Sequence, residues 1–559
     1  MEVAFINSPY MGIIYDSWAH SDKNAFSTIF KADRYRDDEF SVVKDENNKL
    51  RIMAHGHKIC GHMSDEECDH RGIATHSEVF SYAAFFGTAT MTEDEIVAKI
   101  TAGGNYRLDK DIDLSTPRSI TLTSDLRLCL NGHSLKGISF AQANFKLNIT
   151  NCKDVETTIM HGTDSRNILF RNVHVSVMSP KKNINIVSNR PISIDGTANT
   201  FNIDFYNSTF TPCGNSVTYS VFVLAQSSNY NSAINISKAT IKDFVVDFPG
   251  TGAGADEGNI LLTRNGTLNL YNINFTNNDS YYSLIRVTTG GIMNVYGSNL
   301  VSNFSNRRYG NLIFLDTNNV KCAFYENNII KDNIVHGDIL QGSTTTRVFE
   351  IYGVLDVEGN SFNGYGGTGD YSKLPAFHFG DVNMRNATLN IKNNKDLTAG
   401  GHGLLRIVGD LNLYNSHINV EGNTLNRGSL PTQGIFNQTA GNTYLYEGST
   451  IKIVNNNIET TGFTGTSAGL SGMYIRANQT INISTGSIVV KGNKAVGSDA
   501  ALPANYVYQV YSAQTNNTTP FLVQMAGTKF DYKNTDMEVA FASPYIGVIM
   551  ENWNDNAPF

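Results

Sequence analysis

Residues 266–278 read GTLNLYNINFTNN, and residues 291–303 read GIMNVYGSNLVSN. In both, apolar side chains recur at every second position over a few residues. A Gly or Asn then interrupts, a second short alternating run follows, and an Asn closes the unit. Alternation at period two describes a strand with one buried face. Asn tolerates the left-handed bend that a sharp corner needs, and its amide can stack in a ladder between neighbouring strands.

The same pattern spreads outward in both directions. Downstream it recurs as GVLDVEGNSFNG (353–364), ATLNIKNNKDL (387–397), GDLNLYNSHINVEGN (409–423), TYLYEGSTIKIVNNN (443–457) and QTINISTGSIVVKGN (479–493). Weaker upstream copies are KLNITNCKDV (146–155), FNIDFYNSTF (201–210) and AINISKATIKDF (233–244). Equivalent strands lie about 22 to 38 residues apart, and no Pro- or Ser-rich linker divides the stretch. These features predict an all-β chain, a right-handed parallel β-helix over 105–536. At roughly 25 residues per coil and ~4.8 Å per strand, it would hold about 16–18 coils over some 80 Å. An array of β-sandwiches fits less well, because sandwiches have longer strands and discrete linkers.

Ahead of the body, TEDEIVAKI (92–100) places Thr92 three residues before Glu95. That is a capping box opening an apolar helical run, and it predicts a capping helix within 86–104 that covers an open end of the stack.

The two ends repeat each other. Residues 1–18 read MEVAFINSPYMGIIYDSW and residues 537–553 read MEVAFASPYIGVIMENW, with one deletion and with the only two Trp of the chain. The chain therefore reads as one period of about 535 residues followed by the start of the next, at 537–559. On this reading Met1 is an internal methionine, which accounts for the missing basic n-region and cleavage site of a secretory signal. The stretch 1–54 reads as a small β junction unit. Covalent tandem units and separate subunits that exchange end strands both lead to a head-to-tail filament of neighbouring copies.

Composition narrows the function. The 559 residues carry 43 Lys and Arg against 51 Asp and Glu, and only 17% of the chain is charged. No basic block offers the cationic footprint that nucleic acid requires. No apolar run approaches the ~20 residues of a membrane-spanning helix.

A Cys/His cluster stands out in 55–85. Residues 55–76, HGHKICGHMSDEECDHRGIATH, hold five of the thirteen histidines and two of the six cysteines. Thiolate and imidazole are natural zinc ligands. The best set is Cys60, Cys68, His70 and His76, with His57 as main competitor and His55 and His62 behind it. A structural Zn2+ clip would order a segment too strand-poor to bury a core. The other four cysteines read as small buried hydrophobes.

CGHMSDEECDHRGIATHSEVFSYAAF (60–85), AGGNYRLDKDIDL (102–114) and LRLCLNGHSL (126–135) together resemble a module of very large cell-surface proteins of gut Firmicutes. In those proteins a Cys/His-rich loop precedes a Trp-containing strand and a β-helix. Lys58 stands where that module often has its first Cys, with Cys68 as the substitute, and Tyr82 and Phe85 stand in place of Trp. The resemblance implies an extracellular, cell-wall-associated adhesin-like or fibre protein, and it implies no known ligand.

Three functions compete. A structural repeat unit with no catalytic residues agrees with the duplicated ends and the Asn-rich body. A polysaccharide lyase or hydrolase would need clustered carboxylates or bases, whereas the strand acids Asp204, Asp356 and Asp410 are scattered singly. A glycan-binding module would use aromatic faces such as Tyr271, Tyr296, Tyr414 and Tyr446, although strand tyrosines more often pack or shield. His133, in LNGHSL, reads as a turn residue.

Overall fold

The computed structural model describes most of residues 91–496, with several connecting loops left out, and short strands at 40–44, 50–54, 84–86, 508–513, 521–525, 539–541 and 546–550. The segments 1–39 and 55–83, including the Cys/His cluster, lie outside the described residues. Nearly every described element is a strand.

The strands pair in parallel with strands one period further along, and their register carries through. One column of paired positions runs from Ala84 through Tyr106, Leu128, Ile149, Val177, Phe205, Ile236, Leu270, Val295, Phe324, Ile351, Met384, Leu413, Leu445, Ile483 and Met525 to Met550. These are seventeen rungs, and sixteen steps of about 4.8 Å give roughly 77 Å. A second column runs from Ile120 through Phe170, Phe222, Ile313 and Phe436 to Val539. A third runs from Leu135 through Phe210, Phe275, Val357 and Ile453 to Val490.

Across the sixteen steps, 466 residues separate Ala84 from Met550, a mean of about 29 per step and not 25. The excess sits in excursions between strands. Leu224 and Thr263, for example, are neighbours in register although they lie 39 positions apart in the chain.

The apolar half of each alternating strand builds one continuous core. Leu268, Leu270, Ile273 and Phe275 are buried within Gly266–Thr276, while Asn269, Tyr271 and Asn274 between them face outward. Phenylalanines line the interior from rung to rung, with Phe205, Phe210 and Phe222 in edge-to-face contact at 5.0 Å between centroids. Such packing adds to area burial by about 1 kcal/mol per pair.

The helix α1 spans Glu93–Ala102, and its capping box is complete. The Glu95 main-chain N–H donates to Thr92 Oγ1, and the Thr92 N–H donates to Glu95 Oε2. Ile96 and Ile100 sink into the core. Glu93 accepts from the Ser115 N–H and hydroxyl, which ties α1 to the strand Ile112–Ile120. Phe40–Lys44 and Leu50–Ala54 form an antiparallel pair.

Cys129 departs from the reading as a simple buried hydrophobe, because it is disulfide-bonded. Its strand, Leu126–Cys129, ends at the turn closed by the His133 N–H to the Leu130 carbonyl, and Cys129 is fully buried there. Cys213 and Cys322 are free and buried, as small hydrophobes are.

Candidate functional site

The residues singled out for metal, His57, Cys60, Cys68, His70 and His76, lie outside the described residues. Among the described residues no group of three or more His, Cys, Asp or Glu could hold a metal ion. What the described residues do present is a set of side-chain columns that run along the stack.

The first is buried. Asn278, Asn303, Asn333, Asn360, Asn394, Asn423, Asn456 and Asn493 occupy one corner on successive rungs, each no more than 3% exposed. Each amide donates to the side-chain oxygen of the next, at 2.8–3.0 Å. The same oxygen also accepts the preceding asparagine's main-chain N–H. The second amide hydrogen goes back one rung to a carbonyl, from Asn360 to Ile330 and from Asn423 to Ile391. Every donor and acceptor is thus used, the condition under which a buried polar network stabilises. The residue before each asparagine has positive φ, from Ser302 (54°) and Asp332 (54°) to Gly359 (67°) and Asn393 (54°). Gly359 needs its bare Cα for a second reason, since a Cβ there would stand 2.6 Å from Asp332 Oδ1.

A second set of amides runs the other way. Asn294 donates to Asn269, Asn269 to Asn235 and Asn235 to Asp204, at 2.7–2.8 Å. Asn419 donates to Asn390 and Asn390 to Asp356. A chain of amides that all donate toward earlier rungs must end on a group that only accepts, and a carboxylate is such a group. Asp410 likewise accepts from the Asn442 N–H at 2.8 Å. The three acids that sequence alone left isolated therefore have structural partners.

The third column is aromatic. Tyr271, Tyr296, Tyr325 and Tyr352 stand in register on successive rungs. Their rings stack nearly parallel, with centroids 4.5, 4.5 and 5.1 Å apart. On the next rung Arg385 follows Met384, the partner of Ile351, and its guanidinium lies 5.1 Å from the Tyr414 ring. Tyr414 stacks in turn on Tyr446 at 4.8 Å. The rings turn their faces to one another and their edges and hydroxyls outward. Burial, a hydrogen bond donated to Glu350 and the Glu350 charge push the Tyr352 phenol up to about 12. Tyr325 and Tyr352 were missed by sequence reasoning. The signal was an apolar residue before each Tyr, in AFY (323–325) and EIY (350–352), as in NLY and NVY.

A fourth column is largely buried and of mixed chemistry, with Gln341 and Arg406 half-buried. Arg286, Phe314, Gln341, His378, Arg406 and Asn437 share one register. Arg286 is ion-paired with Asp316 and lies over the Tyr282 ring. Beside this column, Asp338 is fully buried and neither carboxylate oxygen has a hydrogen-bond partner. Burial raises its carboxyl well above the usual range, against the opposing pull of the Arg406 charge. The group is suited to carrying a proton.

His133 sits in the turn closed by its N–H to the Leu130 carbonyl, with Asn131 and Gly132 at positive φ. Its Nδ1 is 3.4 Å from Asp111 Oδ1. No helix among the described residues is long and apolar enough to cross a membrane. In comparisons with known proteins, no family model, no curated protein and no solved structure matches the chain.

Proposed function

We propose that this chain is a structural, non-catalytic repeat unit of an extracellular bacterial filament or giant surface adhesin, assembled head to tail, with its parallel ladders wound as a right-handed β-helix. The observation that carries this reading is the unbroken register from Ala84 to Met550, which brings the second copy of the duplicated segment onto the last rung. A ladder that accepts the duplicated segment as its next rung offers the same pairing to a following copy.

Three further observations support the reading. The side chains of the two asparagine ladders are used in holding one rung to the next. The strand acids Asp204, Asp356 and Asp410 accept hydrogen bonds from amide groups of neighbouring rungs. The Cys129 disulfide suits an oxidising compartment outside the cytosol. Glycan binding, the alternative partner chemistry, ordinarily uses free aromatic faces, and in the Tyr271–Tyr352 column the faces contact one another. Zinc held by Cys60, Cys68, His70 and His76, with His57 in reserve, remains part of the proposal on the chemistry of the donors.

Electron microscopy of the purified chain tests the architecture. A straight rod with a body of roughly 77 Å supports it, and a round particle refutes it. Fractionation of producing cells tests the location, for which the cell wall or medium is expected and the cytosol would overturn the reading.

A further inference from the structure

Two strands of the duplicated segment form the last rung. Val539–Phe541 pairs with Val510–Ser512 on one ladder, and Ile546–Met550 pairs with Phe521–Met525 on another. Both pairings are parallel, and both continue columns that begin near the other end of the body. Their sequences, VAF and IGVIM, have counterparts in Val3–Phe5 (VAF) and Met11–Tyr15 (MGIIY), around a shared SPY at 8–10 and 543–545.

What a parallel rung asks of an incoming strand is a main chain in the right register and side chains of the right size at alternate positions. Residues 1–18 meet the same demands as 537–553. Val, Ala and Phe are identical in the first strand. The second keeps Gly and Ile at two positions and places aliphatic or similarly long side chains at the others. The connecting sequence differs by one residue and keeps Ser-Pro-Tyr.

We infer that the last rung is interchangeable between copies, so that Val3–Phe5 and Met11–Tyr15 of a second copy of this chain can take the places of Val539–Phe541 and Ile546–Met550 on the ladders of the first. The occupant is a second copy because the sequence that fits the rung is this chain's own. This deepens the head-to-tail reading by naming the joint, and its test does not depend on where the protein resides or on whether its purified form is a rod.

The experiment opens the rung in the full chain with Val539→Pro, Ala540→Pro, Val548→Pro and Ile549→Pro. Adjacent prolines remove ladder N–H donors in both hydrogen-bonding phases. A fluorescent peptide of residues 1–18 is then titrated in by anisotropy. At least tenfold tighter binding to the opened chain than to the unaltered chain is expected, together with loss of binding when the peptide carries Val3→Pro, Ala4→Pro, Ile13→Pro and Ile14→Pro. Equal binding to both chains, or binding to neither, overturns the inference.

A second measurement leaves the ends unaltered. Full chains carrying a photoreactive residue in place of Met11 are mixed with isotopically heavy chains and irradiated. Met11 corresponds to Ile546, which pairs with Phe521, so cross-links to the heavy chain are expected within residues 508–525. Cross-links confined to a chain's own residues, or scattered over the heavy chain, overturn the inference. A rod seen by microscopy with no peptide capture would sink the exchange and leave the structural reading standing.

Discussion

Asn333 reaches the side-chain oxygen of Asn360 twice, with its amide at 2.8 Å and with its main-chain N–H at 2.9 Å. One oxygen on one rung thus fixes both the backbone and the side chain of the rung before it, and Asn360 repeats the arrangement on Asn394.

Replacing Asn360 breaks two such links at once. Asn360→Ala strands the Asn333 donors and the Ile330 carbonyl in a buried corner, at about 1–3 kcal/mol for each unsatisfied group. A net loss of roughly 3 kcal/mol is expected in urea unfolding. Asn299→Ala, in an exposed Asn274–Asn299 pair, should cost less than about 1 kcal/mol and serves as the control. Equal losses would remove the buried ladder's special role.

The tyrosine column should tolerate loss of a hydroxyl and resist loss of a ring. Tyr325 stacks on both Tyr296 and Tyr352. Tyr325→Phe is expected to change stability by less than about 0.5 kcal/mol, and Tyr325→Ala to cost about 2 kcal/mol, from two stacking contacts and lost burial. Thermal melts of the two variants decide between packing and a hydroxyl-based role.

Alkaline pH should expose Tyr352. Its phenol is raised from 10 in the unfolded chain to about 12 in the fold. Above pH 10 the unfolded chain releases this proton while the folded chain still holds it, so the contribution is present below pH 10 and is lost progressively toward pH 12. Tyr352→Phe should flatten part of that decline, read as melting temperature against pH. An unchanged slope would contradict the assignment.

Asp338 gives the same sign in the acid range. Its folded carboxyl is raised well above 3.8, so stability falls as pH climbs past the unfolded value and the unfolded chain ionises first. Asp338→Asn, which stays neutral, is expected to match the parent near pH 3 and to melt higher at pH 7. A variant less stable at pH 7 would mean that the ionised carboxylate is what the fold needs.

Cys60→Ser with Cys68→Ser should abolish zinc retention. Elemental analysis of the parent is expected to give about one zinc per chain. Absence of zinc from the parent would remove the clip from the proposal.

Much of the architecture was legible because it rests on local rules. The alternation in GTLNLYNINF sets the buried face whatever the partner strand, and the asparagine after a left-handed residue marks the corner in NN, SN, DN and GN alike. The capping box at Thr92 and Glu95 is equally local. Other features depend on which rungs become neighbours. Tyr325 sits in CAFYENN, which shares little with GTLNLYN, and only register brings it onto Tyr296. Asp204 reads as a lone acid until Asn235 is seen to donate to it from 31 residues away. The Cys129 disulfide has the same character, since no spacing rule marks it.

Because the described rungs are bonded in sequence order, the body has the mechanics of a rope wound on a reel. Tension on the two ends would load the terminal rung first and peel it before its neighbours yield. Each peeled rung would free about 29 residues, or roughly 100 Å of extended chain. A single unit seventeen rungs tall could lengthen many times over while its remaining rungs stayed folded, and the lost rungs could rewind on the template left behind.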